Sequence, residues 1–459
     1  MQQPQAQPAE KFSEKFTDHA VNGVNLTEQT ADFVAAHRTE DVCELALKSK
    51  RVEGLDLPLA LDQIAGWQIA CKKLPQWASC EGIIYPPHIS MEQCSSQFTA
   101  QYKSEIAQTL LTPAVTVRAR MSDSAESDTQ ETKTGVRMSD SPESDTLVAR
   151  SSMVDLTGGF GVDFSYLARG FSQATYVERQ RHLCDLAEHN MAALGLDQAR
   201  IVCGDGVEYL RQMDPVDFIY LDPARRDEHG SRTYAIEDCT PNVLELRDLL
   251  LAKSQCTLVK LSPMLDWRKA VADFDGTVRE VHIVATGNEC KELLLVLGQQ
   301  VHEEPSAPRV FCVNDNQRID YDSAAYTQGL RIGGKPLPEA KNYLYEPNAS
   351  IMKAGCFDLV EERFGVTQVG PSSHLFVSAT PVADFPGRGF AIEAIGGMNK
   401  KDIKRLLNGT KQANIAVRNF PLTAPQLRKK LKLADGGPVY LFGTTMQGCD
   451  HVLLRTSKI

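Results

Sequence analysis

Asp155–Gly161 reads DLTGGFG and directly follows a short apolar run. The pattern predicts a strand that ends at Asp155, a tight glycine turn and a helix immediately after it. Gly159 and Gly161 let the backbone approach a ligand that any Cβ would block, and a helix N-terminus favours an anionic group of that ligand. The turn therefore predicts a binding site for a nucleoside-type cofactor, with Thr157, Gly159 and Gly161 as contact residues.

Acidic residues end the next two predicted strands. Glu178 ends ATYVE, 23 residues after Asp155, where a carboxylate can accept both hydroxyls of a ribose. Asp205 follows IVCG, where a carboxylate can accept from an adenine amino group. Each acid alone fits a solvated strand end, but three strand ends in register indicate a cofactor edge. Asp155 is expected to orient the loop and the amino group of the cofactor.

A second motif, DPARR at Asp222–Arg226, follows the apolar run FIYL. It resembles the DPPY, SPPW and DPPR motifs of amino- and ring-methylating enzymes. In these motifs a proline-fixed turn aims a side-chain oxygen and a backbone carbonyl at the nucleophilic amine, and the fourth residue packs on the base. Asp222, Pro223 and Arg225 are therefore the predicted catalytic residues. Because Glu178 would suit NAD equally well, this motif is what favours methyl transfer.

Strand-like runs alternate with helical patterns after residue 150, which predicts an α/β fold with a largely parallel sheet. The last two runs are separated only by the polar turn TGNECK and should form an antiparallel hairpin. A Rossmann-like, doubly wound sheet with such a terminal hairpin is the class I methyltransferase architecture, whereas a plain dinucleotide-binding fold would use a further crossover. The predicted strands are 152–156, 174–178, 200–203, 216–221, 256–261, 279–285 and 291–297.

In this order, DLTGGFGVD, VERQ, GDGVEYL and DPARR resemble the class I S-adenosylmethionine-dependent methyltransferases over residues 152–298. Within them the chain resembles the group with an N-terminal helical extension and a C-terminal THUMP-like domain, related to the trimethylguanosine synthase type of guanine-N2 methyltransferase. The resemblance implies S-adenosylmethionine as the cofactor. The narrower match is carried by EQCSSQFTAQYK at Glu92–Lys103, NECKELL at Asn288–Leu294, EPNASIMKAG at Glu346–Gly355 and KQANIAVRNFP at Lys411–Pro421.

The segment Glu92–Lys103 also contributes candidate cofactor contacts. Ser96, Gln97 and Thr99 could close over the cofactor as a lid, with Gln97 and Thr99 as the binding residues. A plain capped helix is the alternative interpretation of the same residues.

The DPARR motif departs from its relatives in two ways. Ala224 stands for the second proline and Arg225 for the aromatic residue, although a guanidinium can still stack on a base. Uracil-C5 enzymes of the DPPR type need a nucleophilic cysteine after the fifth strand, where this chain has Ser262 and Pro263. Cys256 begins that strand and should be too far back, so covalent C5 chemistry is disfavoured.

The 459-residue chain is 42% hydrophobic and 24% charged, the composition of a multidomain globular protein. No apolar stretch approaches the length of a membrane helix, and the N-terminus has no signal-peptide pattern, so the predicted location is the cytoplasm. Its 12 cysteines show no CxxC pair or Cys/His cluster, so they are interpreted as reduced thiols and no metal site is predicted.

Positive charge is concentrated at the C-terminus of this acidic chain. Residues 387–459 hold 13 Lys/Arg and 4 Asp/Glu, a net charge of +9, whereas the whole chain carries −10. Clustered cations on an appended domain suit phosphate-backbone binding, so RNA is the predicted partner. A solvated charged face is the alternative. The candidate RNA-binding residues are Lys400, Lys401, Lys404, Arg405, Arg418, Lys429 and Lys430.

Composition and pattern divide the chain into six predicted segments. A near-perfect duplication, RMSDSAESDT at Arg120–Thr129 and RMSDSPESDT at Arg137–Thr146, is too polar to fold and should form a disordered linker. The segments are a flexible N-terminus (1–23), a helical domain (24–117), the linker (118–150), the methyltransferase domain (151–298), a ferredoxin-like α+β domain (299–385) and a basic THUMP-like domain (386–459).

The sequence thus favours an S-adenosylmethionine-dependent methyltransferase that acts on an exocyclic amine of an RNA base, with guanine N2 as the favoured atom. Two alternatives stay open. One is a protein or small-molecule methyltransferase. The other is a non-catalytic RNA-binding protein that has retained the fold, which the departures in DPARR suggest.

Overall fold

The structure is a computed structural model that describes most of the chain in two compact units. The predicted flexible N-terminus and the duplicated linker lie outside the described residues. These are 26–49, 52–86, 88–111, 151–225, 236–298, 307–326, 337–338, 341–448 and 450–459. The first unit comprises Met1–Leu261, Asp273–Thr277 and Val296–Val301, and the second comprises Ser262–Ala272, Val278–Leu295 and His302–Ile459.

Among the described residues, six helices precede the first strand. Thr27, Asp41 and Asp56 begin the first three, because each side-chain oxygen accepts a hydrogen bond from the backbone N–H three residues later. No described helix of the chain is long and apolar enough to cross a membrane. The helices are α1 (Glu28–His37), α2 (Val42–Lys48), α3 (Leu57–Lys73), α4 (Pro75–Ser79), α5 (His88–Gln93) and α6 (Gln97–Leu111).

Strands and helices then alternate through the rest of the first unit. Its helices are α7 (Val162–Leu167), α8 (Arg181–Ala193), α9 (Gly206–Gln212) and α10 (Val243–Lys253). Its strands are β1 (Ser152–Asp155), β2 (Gln173–Glu178), β3 (Ala199–Cys203), β4 (Val216–Leu221), β5 (Ala224–Arg225), β6 (Cys239–Thr240) and β7 (Ser254–Leu261).

Five of these strands form a parallel sheet in the order β7-β4-β1-β2-β3, while β5 and β6 pair separately. Residues 218–221 of β4 are all buried, as expected for a central strand covered on both faces. In the register, Asp155 lies beside Tyr220, so the end of β1 and the end of β4 meet at one edge of the sheet. The predicted doubly wound arrangement is confirmed.

The predicted hairpin is confirmed at the start of the second unit. Its two strands are joined by Gly287 and Asn288, which have φ values of 58° and 62°. Two consecutive left-handed residues are typical of a type I′ hairpin turn. The unit begins with the helix α11 (Trp267–Asp273) and the strands β8 (Val278–Thr286), β9 (Glu289–Gly298), β10 (Arg309–Asn314) and β11 (Gln317–Asp322).

Strand β10 pairs in parallel with β8, and β11 pairs antiparallel with β10. The sheet order in this unit is β11-β10-β8-β9. Sheet pairing therefore continues beyond residue 298, where the sequence predicted the end of the methyltransferase domain. The domain boundaries themselves stay predictions.

A second sheet occupies the C-terminal part of this unit, in the order β13-β14-β12-β15-β18-β17-β16. The helices of this C-terminal part are α12 (Ala349–Ala354), α13 (Phe357–Phe364), α14 (Lys400–Leu407) and α15 (Ala424–Leu431). Its strands are β12 (Tyr343–Pro347), β13 (Thr367–Gln368), β14 (Phe376–Ser378), β15 (Gly387–Gly396), β16 (Asn414–Arg418), β17 (Val439–Thr445) and β18 (His451–Lys458).

This sheet has an apolar cluster on each face. Leu454 of β18 packs with Phe390 and Phe442 on one face. Leu453, the next residue, packs on the other face with Leu406 of α14 and Leu427 of α15. Both helices therefore cover the same face of the sheet.

The N-terminal helices pack into the first unit. Leu26, Ala31 and Ile84 share an apolar cluster with two leucines of α8. The Asn190 side chain accepts a hydrogen bond from the Ile84 N–H and donates one to the Ile84 carbonyl oxygen, both at 2.9 Å. The helical segment is thus fixed against a helix that covers the parallel sheet.

We expect Gly206→Ala to destabilise the protein by about 1–3 kcal/mol, because its new Cβ would lie 2.2 Å from the Leu156 carbonyl oxygen, which the backbone holds in place. Gly204→Ala is the matched control in the same turn, since its Cβ would meet nothing within 4 Å. Urea unfolding of both variants measures the difference. Equal unfolding midpoints would show that α9 does not need this close approach to the end of β1.

Candidate active site

A hydrogen bond joins the two motifs at the edge of the parallel sheet. The Asp222 N–H donates to Thr157 Oγ1 at 2.6 Å, and the Thr157 N–H donates to Asp155 Oδ1 at 2.9 Å. Both bonds form because β1 and β4 are parallel neighbours that end at the same level. The structure therefore brings the glycine turn and the start of DPARR side by side, although 61 residues separate Gly161 from Asp222.

Glu178 holds the glycine turn from the end of β2. Its Oε2 accepts from the Gly159 N–H at 3.0 Å and its Oε1 accepts from the Gln180 N–H at 2.9 Å. The backbone of Gly161 has a φ of 83°, a left-handed conformation that favours glycine, and α7 begins directly after it. Since each carboxylate oxygen has two lone pairs, Glu178 keeps acceptor capacity toward a ligand.

Asp205 caps helix α9. Its Oδ1 accepts from the N–H groups of Val207 and Glu208, at 2.9 and 3.1 Å, while the residue itself remains exposed. The structure thus gives this acid a local role in its own turn. Its predicted contact with an adenine amino group stays a prediction.

A cleft of about 620 Å³ runs along this edge of the sheet. Pockets that hold small-molecule cofactors have volumes of roughly 300–1,000 Å³. The predicted residues that line it are Asp155, Thr157, Gly159, Gly161, Glu178, Asp205 and Asp222. The N-terminal segment contributes Gln93, Cys94 and Ser95 to the same wall.

Asp163, at the second position of α7, is a buried carboxylate with four partners. Lys103, which is fully buried, donates to its Oδ1 at 2.9 Å, and Tyr220 donates to its Oδ2 at 2.7 Å. Ser95 also donates to Oδ2, at 2.8 Å, and Lys260 Nζ lies 3.8 Å from it. Burial alone would raise the pKa of Asp163, but Lys103 and Lys260 hold it at about 2.

Lys260, which belongs to none of the predicted motifs, forms an ion pair with Asp222. Its Nζ lies 2.6 Å from Asp222 Oδ2, and the Lys260 side chain is only 14% exposed. Its sequence signal is a lysine in CTLVKL, at the end of the largely apolar strand β7. This strand ends at the same edge of the sheet as β1 and β4. Lys103 gave no such signal, because its partner is 60 residues away.

Burial raises the pKa of Asp155 to about 8, opposed by the hydrogen bond from the Thr157 N–H. The negative charges of Asp163, Asp222 and Glu178 raise it further. Without a ligand, Asp155 is therefore predominantly protonated at pH 7. A cationic group placed beside it would favour its ionised form.

Other predicted site residues lie elsewhere. Gln97 Oε1 accepts from the Gln76 N–H at 2.9 Å, and Thr99 is buried in the first turn of α6. Neither lines the cleft, so the structure places Ser95 there instead. Pro223 is buried, Arg225 pairs through its backbone with Cys239, and Arg226 lies outside the described residues. These assignments stay predictions.

The predicted RNA-binding residues fall into two groups. Arg418 pairs with the buried Glu346 at 2.8 Å, and Arg405 donates to the Ile395 carbonyl oxygen at 2.7 Å, so both contribute to the folded domain. The lysines are exposed on two helices that cover the same sheet face. Among the described residues, no carboxylate pairs with Lys400, Lys401, Lys404, Lys429 or Lys430. Nor does the described chain contain a His/Cys/Asp/Glu group that could hold a metal.

We expect Asp155 to make stability fall as pH rises. Its folded pKa of about 8 lies well above the pKa of an unfolded aspartate, about 4, so its contribution is fully present below pH 4 and is lost as pH rises toward 8. Asp155→Asn keeps the neutral shape and removes the titration. The free energy of unfolding of the wild type should fall relative to this variant by up to about 1.4 kcal/mol per pH unit.

Urea unfolding at several pH values between 5 and 8 measures this difference. Asp214→Asn, at an exposed position of the same unit, is the control for loss of one acidic side chain. If the wild type and Asp155→Asn gave parallel stability curves, Asp155 would not be the titrating group.

Comparison with known proteins places this geometry in a family. Residues 343–386 match a family described as a ferredoxin-like domain, and residues 387–458 match one described as THUMP domain-like. No curated protein matched the chain.

Two solved structures match part of the chain. One is the "SAM Dependent Methyltransferase from Agrobacterium tumefaciens", with 16% identity and a TM-score of 0.25, covering 33% of this chain and 56% of that one. The other is a "putative RNA methyltransferase" from Pyrococcus horikoshii, with 11% identity and a TM-score of 0.31, covering 52% of this chain and 98% of that one.

A third solved structure matches almost the whole chain. It is described as a "putative methyltransferase from Porphyromonas gingivalis W83" and has a TM-score of 0.75 at 30% identity. The match covers 94% of this chain and 97% of that one. The chain therefore belongs to the same family, the class I methyltransferases that carry a C-terminal THUMP-like domain.

Proposed function

We propose that the chain methylates an exocyclic amine of an RNA base, with guanine N2 favoured and S-adenosylmethionine as methyl donor. The observation that carries this is the hydrogen bond from the Asp222 N–H to Thr157 Oγ1. This bond holds Asp222, the candidate ligand of the amine, next to the glycine turn that is the candidate cofactor site, and both line one cleft.

The residues of the cleft fit S-adenosylmethionine. Glu178 is fixed by two backbone N–H groups and can accept from ribose hydroxyls. Asp155 lies beside the glycine turn, where it can receive the cationic amino group, and the N-terminus of α7 suits the carboxylate. When bound, this cofactor supplies an electrophilic methyl group on a positively charged sulfur.

Asp222 and Pro223 would orient the amine that accepts the methyl group. The amine can donate its N–H groups to the Asp222 carboxylate and the Pro223 carbonyl oxygen, which aims its lone pair away from both. No strong base is needed, because the proton leaves after the nitrogen has been methylated. The rate then depends on how rigidly Asp222 is held.

RNA is supported as substrate by the cations of the THUMP-like domain. Exposed lysines on α14 and α15 lie on helices that share one sheet face and have no carboxylate partner among the described residues. When unpaired lysines of this kind contact phosphates, the counterions bound to the nucleic acid are released. A base within structured RNA would have to be splayed out to enter the cleft.

We expect tritium transfer from labelled S-adenosylmethionine to an extract of cells that lack the gene, and its loss after ribonuclease treatment. Asp222→Ala should reduce the transfer rate by about 100-fold, because the carboxylate that accepts the hydrogen bond of the amine is removed. The dissociation constant for S-adenosylmethionine should change less than threefold. Nucleoside mass spectrometry of the labelled RNA identifies the methylated atom.

The outcomes separate the candidate functions. Transfer that survives ribonuclease but not protease would show a protein methyltransferase instead. RNA binding without transfer by the wild type would show a non-catalytic RNA-binding protein.

We expect Lys404→Gln/Lys430→Gln, with one neutralised lysine on each basic helix, to weaken RNA binding. If each lysine contacts one phosphate, the slope of log K against log salt should become shallower by roughly 1.4–1.8. Filter binding at several salt concentrations gives this slope.

The matched control is Lys72→Gln/Lys458→Gln. Lys72 is exposed on α3, and Lys458 lies opposite Phe390 in the strand register, on the sheet face away from the basic helices. An equal change of slope in both double variants would mean that the lysines of α14 and α15 act only through net charge.

A further inference from the structure

We propose that Lys260 is the positioning residue for Asp222, and that the N-terminal helical segment holds Lys260 in place. The proposal rests on the proposed function, since it assigns to Asp222 the carboxylate that receives the target amine. It adds a requirement for a lysine in β7 and for Ser95, which lies more than 100 residues before the DPARR motif.

The contact between Lys260 and Asp222 follows from strand pairing. Strands β4 and β7 are parallel neighbours, with Leu221 beside Val259, so Asp222 and Lys260 are the next residues at the same edge. The Nζ to Oδ2 distance is 2.6 Å, which is a charge-assisted hydrogen bond. The pair is 14% exposed at Lys260 and 40% exposed at Asp222, so solvent screens it less than a surface pair.

Two further oxygen atoms lie close to the Lys260 ammonium group. Its Nζ lies 3.3 Å from Ser95 Oγ and 3.8 Å from Asp163 Oδ2. Asp163 is in turn held by the buried Lys103 of α6. A lysine side chain is normally flexible, but here its ammonium group is confined between three oxygen atoms from three segments of the chain.

The geometry leaves one Asp222 oxygen available. Oδ2 is taken by Lys260, whereas none of the residues that the structure describes donates to Oδ1. Asp222 lines the cleft and Lys260 does not. Lys260 therefore acts through Asp222 and does not touch the substrate itself.

Charge gives Lys260 a second effect on Asp222. Asp163 and Glu178 place further carboxyl groups around the same cleft. Without Lys260, repulsion from these groups would turn the Asp222 side chain away from them. The Asp222 carboxylate would then lose the orientation in which it accepts the hydrogen bond of the amine. A displacement of about 1 Å at a reacting group can cost about 100-fold in rate.

A double-mutant cycle tests whether Lys260 acts through Asp222. Single-turnover methyl transfer is measured for the wild type, Lys260→Met, Asp222→Ala and the double variant, with tritiated S-adenosylmethionine and the extract of gene-deleted cells. We expect Lys260→Met to be about 100-fold slower and the double variant to be no slower than Asp222→Ala. The dissociation constant for S-adenosylmethionine should stay within threefold, because Lys260 is not a cofactor contact.

Conservative variants separate positioning from packing. Lys260→Arg keeps the charge and should transfer at least tenfold faster than Lys260→Gln, which has a similar stem length without the charge. Lys72→Met, an exposed lysine of the same unit, is the control and should match the wild type. If Lys260→Met fails to fold, the Arg and Gln variants alone decide, and equal rates for these two would overturn the proposal.

Other results also overturn it. A wild-type transfer rate in Lys260→Met would overturn the proposal. So would a double variant whose rate falls by the product of the two single-variant losses, because the two residues would then act independently. All variants are scored on total transfer, whichever macromolecule accepts the methyl group. Lys260-dependent transfer that resists ribonuclease would therefore contradict the RNA substrate alone, and absence of any wild-type transfer would overturn both proposals.

Discussion

The candidate site depends on one buried carboxylate, Asp163, and on the cations that compensate it. A buried charge left without a partner costs about 3–5 kcal/mol, so Lys103 and Lys260 must both lie close to α7. These lysines come from α6 and β7, and Tyr220 adds a hydrogen bond from β4. The requirement that this charge be satisfied therefore fixes the N-terminal helices, the glycine turn and two central strands relative to one another within the first unit.

The same network produces two different acids at one edge of the sheet. Asp163 is held ionised by its lysines, whereas Asp155, only eight residues earlier, is desolvated without a cation and has a raised pKa. Asp222 has a third environment, in which Lys260 donates to one of its oxygens and the residue lines the cleft. Groups of the same type thus have distinct environments, which is how a site assigns binding and positioning roles to similar side chains.

Local pattern predicted much of this fold. The strand ends at Asp155, Glu178 and Asp222 were identified because parallel strands with apolar interiors end in polar residues, and TGNECK marked the hairpin as a short polar turn. Lys103 and Lys260 could not be paired with Asp163 from the sequence, because such contacts depend on which strands become neighbours. For the same reason the wall of the cleft holds Ser95, while Gln97 and Thr99, two and four residues later, bond within the helical segment.

The proposed RNA substrate accounts for the separation of charge along the chain. Its acids suit a cofactor that carries positive charge on sulfur and on an amino group, and the same acids repel the phosphates of a nucleic acid. An enzyme with such a cleft that acts on RNA therefore needs a second, basic surface to hold the backbone. Residues Gly387–Ile459 contain 13 Lys/Arg residues, but not all of them are free to bind phosphate. Arg388 and Arg418 form ion pairs with the buried Glu346. The exposed lysines of α14 and α15 remain available to contact phosphate.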